Sequence, residues 1–525
     1  MTNFSLCLRQ SAARHPERVA IVDGADTLTY ARFDESVDAL ARGLGNHGVG
    51  PASVVAVVSQ NSGEFLQLYF AAMRVGAIFL PLNHRLSGVE VAYQLDLAQV
   101  DVLFVGEGSV ELADAAIAAA AIRPRGLPLG RYASPSTWPD YDELLVETGH
   151  VPDVPRALGD PQRIMFTSGT TSHPKAALTT HGQIWMGALA RATEFHFTER
   201  DVNLVNGPLY HASALDHFAS THFVVGGSVV VTRGFDPRNV LALLEQRAVT
   251  NTWLSPTMVR MVSEVPGWER VDVSALRVLL VGGERMPEHL LERLEAAWPQ
   301  TGIHDCYGLT ESSFATYADM GRAIGKRGSV GRSTIGTRVR VVSESGTPVR
   351  NGETGEVQIS GLCVFPGYLA DEAATAHALT DGWLRTGDLG RLDDDGYLFL
   401  VDRVKDMIRS GGENIASPEV ERVLFEFPGV LDAAVVGVPD ERWGEVPVAF
   451  VVADSVHGLS TEALIAHASE RLGKFKVPKA VHFVKELPRT ASGKVMKRVL
   501  RDTVTRYESV DDGKRRRESR REIGP

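Results

Sequence analysis

Residues 53–83 read SVVAVVSQNSGEFLQLYFAAMRVGAIFLPLN. The apolar run that begins at Ser53 is short and rich in valine, which predicts a buried strand. The stretch GEFLQLYFAAMRVG predicts an amphipathic helix, and AIFLPLN predicts the next strand. This order of strand, helix and strand is typical of parallel α/β sheets. We therefore predict an α/β protein whose large N-terminal domain is built on parallel sheets.

The same order recurs further along the chain. GSVVVTRGF precedes NVLALLEQRAV, and LRVLLVGGE precedes PEHLLERLEAAWP. From about Gly331 the pattern changes to short β segments with glycine-rich turns, which predicts a small β-barrel or sheet at the end of the large domain. Residues 106–160 carry weaker signals, and there we expect a surface helix and a loop rich in proline and glycine.

The α/β pattern returns after Asp402. EVERVLFEFPGV, LDAAVVGVP and EALIAHASERLGKF lie in a stretch of about a hundred residues, which is enough for a separate domain. We predict an N-terminal domain over residues 1–401 and a smaller α+β C-terminal domain over residues 402–505. Residues 506–525, which contain GKRRRESRRE, are predicted to form a basic, disordered tail.

Composition restricts the class of protein. The 525 residues, 44% hydrophobic and 23% charged, suit a multidomain soluble enzyme. No apolar segment suggests export or a membrane span, so we expect a cytoplasmic protein. The three cysteines, Cys7, Cys306 and Cys363, are too few and too scattered for a disulfide framework or a zinc site. The net charge of −11 disfavours nucleic acid as a partner.

The stretch MFTSGTTSHPK, residues 165–175, places hydroxyl groups and a glycine ahead of Lys175. Hydroxyls and closely approaching backbone N–H groups suit phosphate oxygens, and the lysine supplies positive charge. A polar surface turn is the alternative, but a turn needs fewer such residues. The Walker spacing is absent, so a nucleotide would bind at this loop by a different geometry.

Four further motifs carry chemistry. HDCYGLTESS contains Tyr307 and Glu311, GWLRTGDLG contains Asp388, VDRVKDMIRSGGENI contains Arg403 and a double glycine, and LPRTASGKVMKR contains Lys494. Each alone also fits a turn aspartate, a solvated arginine or a surface lysine. In this order and at these separations, however, the motifs are far too specific to be chance.

In this order the motifs resemble the adenylate-forming superfamily of acyl-CoA synthetases, nonribosomal-peptide adenylation domains and firefly-type luciferases. The resemblance extends to about Val504 and is closest to bacterial acid–CoA ligases. It implies a mobile C-terminal domain that rotates between two half-reactions. A carboxylate first attacks the α-phosphate of ATP to give acyl-AMP and pyrophosphate, and a thiol, usually that of coenzyme A, then displaces AMP.

The resemblance also implies roles for individual residues. The catalytic residues are Lys494, Glu311 and His211. The ATP- and AMP-binding residues are Thr167, Ser168, Gly169, Thr170, Thr171, Lys175, Gly283, Glu284, Asp305, Tyr307, Gly308, Thr310, Asp388 and Arg403. Glu311 and Thr167 would organise Mg²⁺, and Asp402 would be the hinge. The CoA-binding residues are Gly411, Gly412 and Trp443, with Lys474 and Lys476 nearby.

The acyl pocket is expected around PLYHASALDHF, with His211, Asp216 and His217. A long fatty acid prefers an apolar tunnel, so these polar groups favour a small, polar or aromatic acid. The alternative is that Asp216 and His217 point to solvent. A metal site at the two histidines lacks a third ligand in the sequence.

The chain departs from the superfamily pattern at Ser172, Ala176 and Glu284. Ser172 and Glu284 keep a second hypothesis open, in which the activated acid, or an oxyanion such as nitrite, passes to a carrier-protein thiol or an amine instead of CoA. A non-catalytic adenylate-binding regulator is disfavoured because Lys494 is present, and a luciferase-like oxygenase is not distinguished by these motifs. The expected partners are a small carboxylic acid and CoA or a carrier protein, and a homodimer is left open.

Overall fold

The computed structural model describes residues 3–135, 137–146, 149–167, 174–284, 286–321, 323, 325–410, 413–440, 442–454, 459–489 and 495–504. By its contacts the chain divides into two units. The first unit comprises Met1–Arg340, Gln358–Thr386 and Gly396–Leu398, and the second comprises Val341–Val357, Gly387–Asp395 and Phe399–Pro525. The predicted domain boundary between residues 401 and 402 stays a prediction, and the predicted tail over residues 506–525 lies outside the described residues.

Strands and helices alternate through much of the chain. The strands are β1 (Val19–Asp23), β2 (Asp26–Thr29), β3 (Val54–Val58), β4 (Ile78–Leu82), β5 (Val102–Gly106), β6 (Arg125–Leu129), β7 (Pro161–Thr167), β8 (Lys175–Thr180), β9 (Val202–Val205), β10 (Ser228–Val231), β11 (Asn251–Leu254), β12 (Val278–Gly282), β13 (Gly302–Leu309), β14 (Ser313–Asp319), β15 (Arg332–Ser333), β16 (Thr337–Val342), β17 (Gly355–Gly361), β18 (Leu379–Thr380), β19 (Trp383–Leu392), β20 (Leu398–Arg403), β21 (Ile408–Ser410), β22 (Glu413–Ile415), β23 (Val430–Asp440), β24 (Gly444–Ala453) and β25 (Ala480–Phe483). The helices are α1 (Leu6–Arg14), α2 (Tyr30–Asn46), α3 (Gly63–Arg74), α4 (Gly88–Ala98), α5 (Val110–Ala119), α6 (Tyr141–Leu144), α7 (His181–Glu194), α8 (Ala212–Ala214), α9 (Ser220–Val225), α10 (Pro237–Gln246), α11 (Pro256–Ser263), α12 (Glu288–Ala297), α13 (Glu372–Ala378), α14 (Ser417–Phe425) and α15 (Thr461–Arg471). A π-helical turn, Leu215–Ala219, connects α8 to α9, and a 3₁₀ turn covers Trp268–Arg270.

The stretch over residues 53–83 folds as its pattern predicts. It forms β3, α3 and β4, and the two strands pair in parallel from Val54 opposite Ile78 to Val58 opposite Leu82. The side chain of Ser62 caps α3 by accepting a hydrogen bond from the N–H of Phe65. These strands belong to a six-stranded sheet with the order β6-β5-β3-β4-β7-β8, in which the β7–β8 pair is antiparallel.

A second, nine-stranded sheet has the order β15-β14-β13-β12-β11-β9-β10-β1-β2. Its central strands run parallel, while β2, β14 and β15 are added antiparallel at the edges. Strand β10 is followed by α10, and β12 is followed by α12, as the recurring pattern predicts. The prediction of parallel α/β sheets is confirmed.

The strands of the first unit bury side chains on both faces of their sheets, and this packing forms its layers. Val55 and Val57 of β3 pack in one apolar cluster with Phe70 of α3 and Val229 of β10, so this cluster lies between the two sheets. The other face of the six-stranded sheet is covered by α4 and α5, and that of the nine-stranded sheet by α10, α11 and α12. Strands buried on both faces explain the nearly continuous apolar runs in the sequence.

Residues 106–160 differ from the expectation of a surface helix and loop. The helix is present as α5, but residues 126–129 are buried in β6, which pairs in parallel with β5. The strand was missed because it is short and contains Pro128. Proline is tolerated there since β6 lies at the edge of its sheet.

The later strands form two smaller sheets. Strands β16 to β20 form a five-stranded sheet with the path β16-β17-β19-β18 and with β20 paired to β19, which agrees with the predicted sheet of short strands. In the second unit, β21 to β25 form a sheet with the path β22-β21-β24-β23, and β25 pairs with β24. Helices α14 and α15 pack on it through Val420, Leu424 and Leu464. The α+β character predicted for the C-terminal part is confirmed.

The three cysteines are free thiols. Burial raises the pKa of Cys7 and of Cys306, so both thiols are protonated at neutral pH. Within the described part of the chain, no helix is both long enough and apolar enough to cross a membrane.

Candidate active site

Two adjacent parallel strands, β12 and β13, place the predicted adenine-binding residues at one edge of the nine-stranded sheet. Gly283 and Glu284 directly follow β12, and Asp305 and Tyr307 lie near the end of β13. Val281 pairs with Asp305, so the two sets of residues are neighbours. The carboxyl ends of parallel strands are where α/β folds bind ligands. The structure therefore brings these four residues together.

The turn after β13 carries Thr310 and Glu311. The N–H of Leu309 donates to Oγ of Ser312 at 3.1 Å, and this bond closes the turn before β14 begins. Gly308 precedes the turn at an irregularity in the β13–β14 pairing. A Cβ at Gly308 would collide with the carbonyl oxygen of Ser313, so the position requires glycine. The tight turn between β13 and β14 therefore places Glu311 at the same end of the sheet as Tyr307.

The hydroxyl-rich loop connects β7 to β8 in the six-stranded sheet. Thr167 and Lys175 are the last residues to pair across this hairpin, and the Oγ1 of Thr167 lies 3.5 Å from the carbonyl oxygen of Lys175. They stand opposite each other at the base of the loop. The predicted phosphate ligands at residues 168–171, and the departure Ser172, lie outside the described residues.

A tyrosine that the sequence interpretation missed joins the two motifs. The hydroxyl of Tyr368 donates to Oε1 of Glu311 at 2.7 Å, and Nζ of Lys175 lies 5.0 Å from the centroid of the Tyr368 ring. Burial, reinforced by the nearby Glu311 carboxylate, raises the pKa of Tyr368 above its usual value. The phenol therefore stays protonated at neutral pH and acts as the donor to Glu311.

Backbone bonds hold Tyr368 in this position. The N–H of Leu369 donates to the carbonyl of Ala176 at 2.8 Å, and the N–H of Phe365 donates to the carbonyl of Glu311 at 2.8 Å. The departure Ala176 is buried under this segment. The only sequence signal for Tyr368 is the turn-forming Pro-Gly pair that precedes it. Residues far apart in the chain are thus fastened into one polar site.

The predicted acyl-pocket segment begins at His211, which precedes α8. Burial lowers the pKa of His211 to about 4, so the imidazole is neutral at physiological pH. Its ring lies 4.8 Å, between centroids, from the ring of Tyr210. Its buried Nε2 has no hydrogen-bond partner among the described residues. A buried polar atom without a partner is suited to contacting a ligand.

Asp216 and His217 lie in the π-helical turn of the same segment. Asp216 is 2% exposed, and its carboxylate accepts two hydrogen bonds from Arg163, of which the Nη2–Oδ2 bond is 2.5 Å long. Asp216 is therefore held in a buried ion pair and does not point to solvent. The ring of His217 lies 5.4 Å from that of Phe314, and burial lowers its pKa well below the usual value.

The second unit brings Asp388 and Arg403 together. Nε of Arg403 lies 3.0 Å from Oδ1 of Asp388, whose side chain is 9% exposed. The predicted hinge residue Asp402 accepts hydrogen bonds from the N–H and the hydroxyl of Ser417, both at 2.8 Å. Its carboxylate thus ties the end of β20 to the first turn of α14. The predicted catalytic Lys494 and the predicted CoA residues Gly411 and Gly412 lie outside the described residues.

The predicted CoA surface of the second unit is partly exposed. Trp443 is 44% exposed, and the guanidinium of Arg442 lies 4.9 Å from its ring centroid. Lys474 is exposed, whereas Nζ of Lys476 bonds both carboxylate oxygens of Glu419 at 2.7 and 2.8 Å. Lys476 is therefore engaged within its own unit. Among the described residues, no cluster of three metal-ligating side chains occurs.

Comparisons with known proteins show the family to which the chain belongs. A family model for AMP-binding enzymes matches residues 8–369, and one for the C-terminal domain of these enzymes matches residues 419–494. A feruloyl-CoA synthase from Amycolatopsis sp. is 38% identical over 493 residues, covering 93% of this chain and 96% of that protein. An indoleacetate–CoA ligase from Aromatoleum aromaticum is 37% identical over 506 residues, covering 95% and 96%.

Two further similarities extend the comparison. The long-chain-fatty-acid–CoA ligase FadD13 from Mycobacterium tuberculosis is 34% identical over 509 residues, covering 96% of this chain and 98% of that protein. The crystal structure of ATP-bound MatB from Rhodopseudomonas palustris matches with a TM-score of 0.87 at 28% identity, covering 96% and 98%. The predicted resemblance to adenylate-forming enzymes is confirmed. The chain belongs to the family of AMP-binding enzymes, and it is an enzyme of the acid–CoA ligase type.

Proposed function

We propose that this protein activates an aromatic carboxylic acid with ATP and transfers the acyl group to coenzyme A. In the first step a carboxylate oxygen bonds to the α-phosphorus of ATP, and the bond to pyrophosphate breaks. In the second step the CoA sulfur bonds to the acyl carbon, and AMP leaves. The observation that carries the proposal is the position of Lys175 and Glu311 on either side of Tyr368, because a polyphosphate needs both a cation and a metal-organising carboxylate.

The first unit would bind the triphosphate and the adenine. Lys175, Thr167 and the loop residues Ser168, Gly169, Thr170 and Thr171 would hold the β- and γ-phosphates. Tyr307 would stack on adenine, with Gly283, Glu284, Asp305, Gly308 and Thr310 around it. Positive charge and N–H groups at the leaving pyrophosphate stabilise the charge that develops as the bond to the α-phosphate breaks.

Mg²⁺ fits this donor set. Glu311 is a single carboxylate at the site, and Mg²⁺ in nucleotide sites is typically held by one or two carboxylates together with substrate phosphates. Thr167 would contribute a hydroxyl oxygen. Bound there, Mg²⁺ would neutralise phosphate charge. The chain's own contribution is to hold the Glu311 carboxylate in place, through the Tyr368 hydroxyl at 2.7 Å.

The second unit would complete the reaction. Asp388, with Arg403 beside it, would accept hydrogen bonds from the ribose hydroxyls. Lys494 would place positive charge at the α-phosphate as the carboxylate attacks. Asp402 would be the hinge of a mobile domain, and Gly411, Gly412 and Trp443 would contact CoA. Lys474 remains a candidate for its nucleotide end.

The substrate is proposed to be aromatic because the segment after Tyr210 is rich in rings. His211 offers a neutral, unpartnered Nε2 to the acid's carboxyl group, and Phe314 meets His217 further along. The feruloyl-CoA synthase and the indoleacetate–CoA ligase are both named for aromatic acids. Asp216 would fix the segment through Arg163 rather than touch the acid.

We place the reaction in the cytoplasm, in keeping with three free thiols. A homodimer stays a prediction.

The test is pyrophosphate release across aromatic, short aliphatic and long fatty acids, each with and without CoA. We expect release to depend on ATP, Mg²⁺ and an aromatic acid, and CoA to accelerate turnover and yield a thioester detectable by mass spectrometry. Controls omit the acid or replace ATP with GTP. Turnover restricted to fatty acids would contradict the substrate proposal. Pyrophosphate release that CoA leaves unchanged would contradict the acceptor and favour a carrier-protein thiol or an amine.

A further inference from the structure

The indole of Trp253 lies against three glycines of the nine-stranded sheet. Trp253 belongs to β11, pairs in register with Leu280 of β12 and is 7% exposed. A Cβ built on Gly283 would lie 3.7 Å from Cζ2 of the indole, and one on Gly207 would lie 3.4 Å from Cζ3. A Cβ on Gly282 would lie 3.7 Å from Nε1. One ring therefore reaches both the segment that follows β9 and the predicted adenine-binding residue Gly283.

The indole faces the predicted acyl-pocket segment. Neighbouring residues of a strand point to opposite faces of a sheet, and Leu254 packs in the cluster covered by α10, α11 and α12. Trp253 instead packs in a cluster with Phe218 and Phe314. Phe218 belongs to the π-helical turn of the acyl-pocket segment, and the ring of Phe314 lies 5.4 Å from that of His217 in the same turn. Trp253 is thus on the side of the sheet where the acid is proposed to bind.

Little space remains next to the indole. A cavity between β9 and the turn at α8 is lined by residues 203–207, Ser213, Ala214, Phe218 and Trp253. Its volume is about 10 Å³, roughly the space that one water molecule needs. Ser213 and Ala214 closely follow His211, whose buried Nε2 has no partner among the described residues. An acid that extends from His211 toward this cavity would therefore meet Trp253 and find no room for further atoms.

Trp253 is held on a strand that cannot easily shift. Strand β11 pairs in parallel with β9 on one side and with β12 on the other. Because protein interiors are close-packed, extra methylene groups in such a place force costly movements of side chains and backbone. A large ring fixed at the end of a binding site therefore sets the length of the ligand that the site accepts.

We propose that Trp253 limits the length of the acid, by closing the acyl site to acids whose apolar tail extends beyond one aromatic ring. This inference rests on the proposed function, since it concerns the acid of that same site. A smaller side chain in place of the indole would join the vacated space to the adjoining cavity. The enlarged site would then admit the tail.

The experiment compares cinnamic acid with 4-butylcinnamic acid, which differ only in the tail at the para position. The kcat/KM for pyrophosphate release is measured with each acid on the unmodified enzyme, on Trp253→Phe and on Trp253→Leu. We expect the unmodified enzyme to prefer cinnamic acid by about tenfold or more, the effect of apolar atoms that do not fit a pocket. Trp253→Leu should abolish or reverse this preference. Trp253→Phe should give an intermediate ratio, because it opens less space.

The matched control is Trp298→Leu. Trp298 is also buried, at 1% exposure, but it packs in the cluster on the other face of the sheet. The control therefore loses the same volume of core side chain, and it should keep the acid preference of the unmodified enzyme. Trp253→Phe retains an aromatic ring in its cluster, so it tests the proposal even if Trp253→Leu does not fold.

The outcomes separate this inference from the proposed function. If the acids are activated but the preference is unchanged in the Trp253 variants, or changes equally in Trp298→Leu, only the assignment of Trp253 is overturned. If no aromatic acid supports pyrophosphate release, the proposed function fails, and straight-chain acids of increasing length are measured on the same variants. There, a shift of the Trp253 variants toward longer acids supports the assignment, and an unchanged length preference overturns it.

Discussion

The hydroxyl of Tyr368 donates a 2.7 Å hydrogen bond to the carboxylate of Glu311. The two residues are separated by 57 positions in the chain. The same tyrosine ring also lies under the ammonium group of Lys175, which comes from a different sheet. One aromatic side chain therefore sets the distance between a carboxylate and a cation that the sequence presents in unrelated motifs.

Tyr368→Phe tests this relationship. A hydrogen bond to a charged group contributes about 1.5–3 kcal/mol, so we expect kcat/KM for pyrophosphate release to fall roughly tenfold to hundredfold. The Mg²⁺ concentration for half-maximal rate should rise, because Glu311 is no longer oriented. The matched control is Tyr132→Phe, which also loses one hydrogen bond, to the carbonyl of Val105. An unchanged Mg²⁺ dependence in Tyr368→Phe would show that Tyr368 has only a packing role.

Lys494→Ala tests the proposed catalytic lysine. Removal of one group that stabilises developing charge typically lowers the rate by about 10²–10³-fold, and we expect pyrophosphate release to fall by that amount. ATP affinity, measured by calorimetry, should change little because the lysine acts on the transition state. Lys485→Ala, at an exposed position of the same unit, serves as the control. Normal pyrophosphate release from Lys494→Ala would refute the role.

Asp402→Pro tests the proposed hinge. Proline fixes φ, so thioester formation should slow on the order of tenfold more than adenylation if the second unit must rotate between the steps. Asp402→Ala is the matched control. It removes the same bonds to Ser417 but leaves the backbone free, and it should affect the two steps alike. Equal slowing of both steps in Asp402→Pro would contradict the hinge assignment.

Stability should depend on pH through buried histidines. Burial lowers the pKa of His181, His211 and His222 to about 4, whereas in the unfolded chain each has a pKa of about 6.5. Between these values the unfolded chain binds more protons, so the free energy of unfolding falls as pH decreases from about 6.5 to 4. The upper limit is about 1.4 kcal/mol per pH unit for each histidine.

The measurement is the unfolding temperature by calorimetry at pH 7.5, 6 and 5. His181→Asn should reduce the slope because one titrating group is lost. His377→Gln, at an exposed position, should leave the slope as it is. A flat profile between pH 7.5 and 5 would contradict the burial argument.

The sequence alone determined the elements and the class of chemistry. The spacing and the length of the apolar runs predicted β3, α3 and β4, because local apolar patterns decide which faces of an element are buried. Motif order indicated the acid–CoA ligase type, which the comparisons confirm, and it predicted a phosphate loop, which stays a prediction. The short strand β6 was not predicted, because an edge strand that contains proline shows little periodicity in its apolar residues.

Only the tertiary structure decided which side chains meet. Strand register placed Asp305 opposite Val281, two residues before Gly283, and backbone bonds hold the segment of Tyr368 next to Glu311. The structure also showed that the carboxylate of Asp216 is held in a buried ion pair by Arg163 and does not point to solvent. A residue's partners depend on long-range packing, which has no local pattern in the chain. The chemical type of a residue is known from the sequence, but its function depends on which polar atoms remain without a partner after folding.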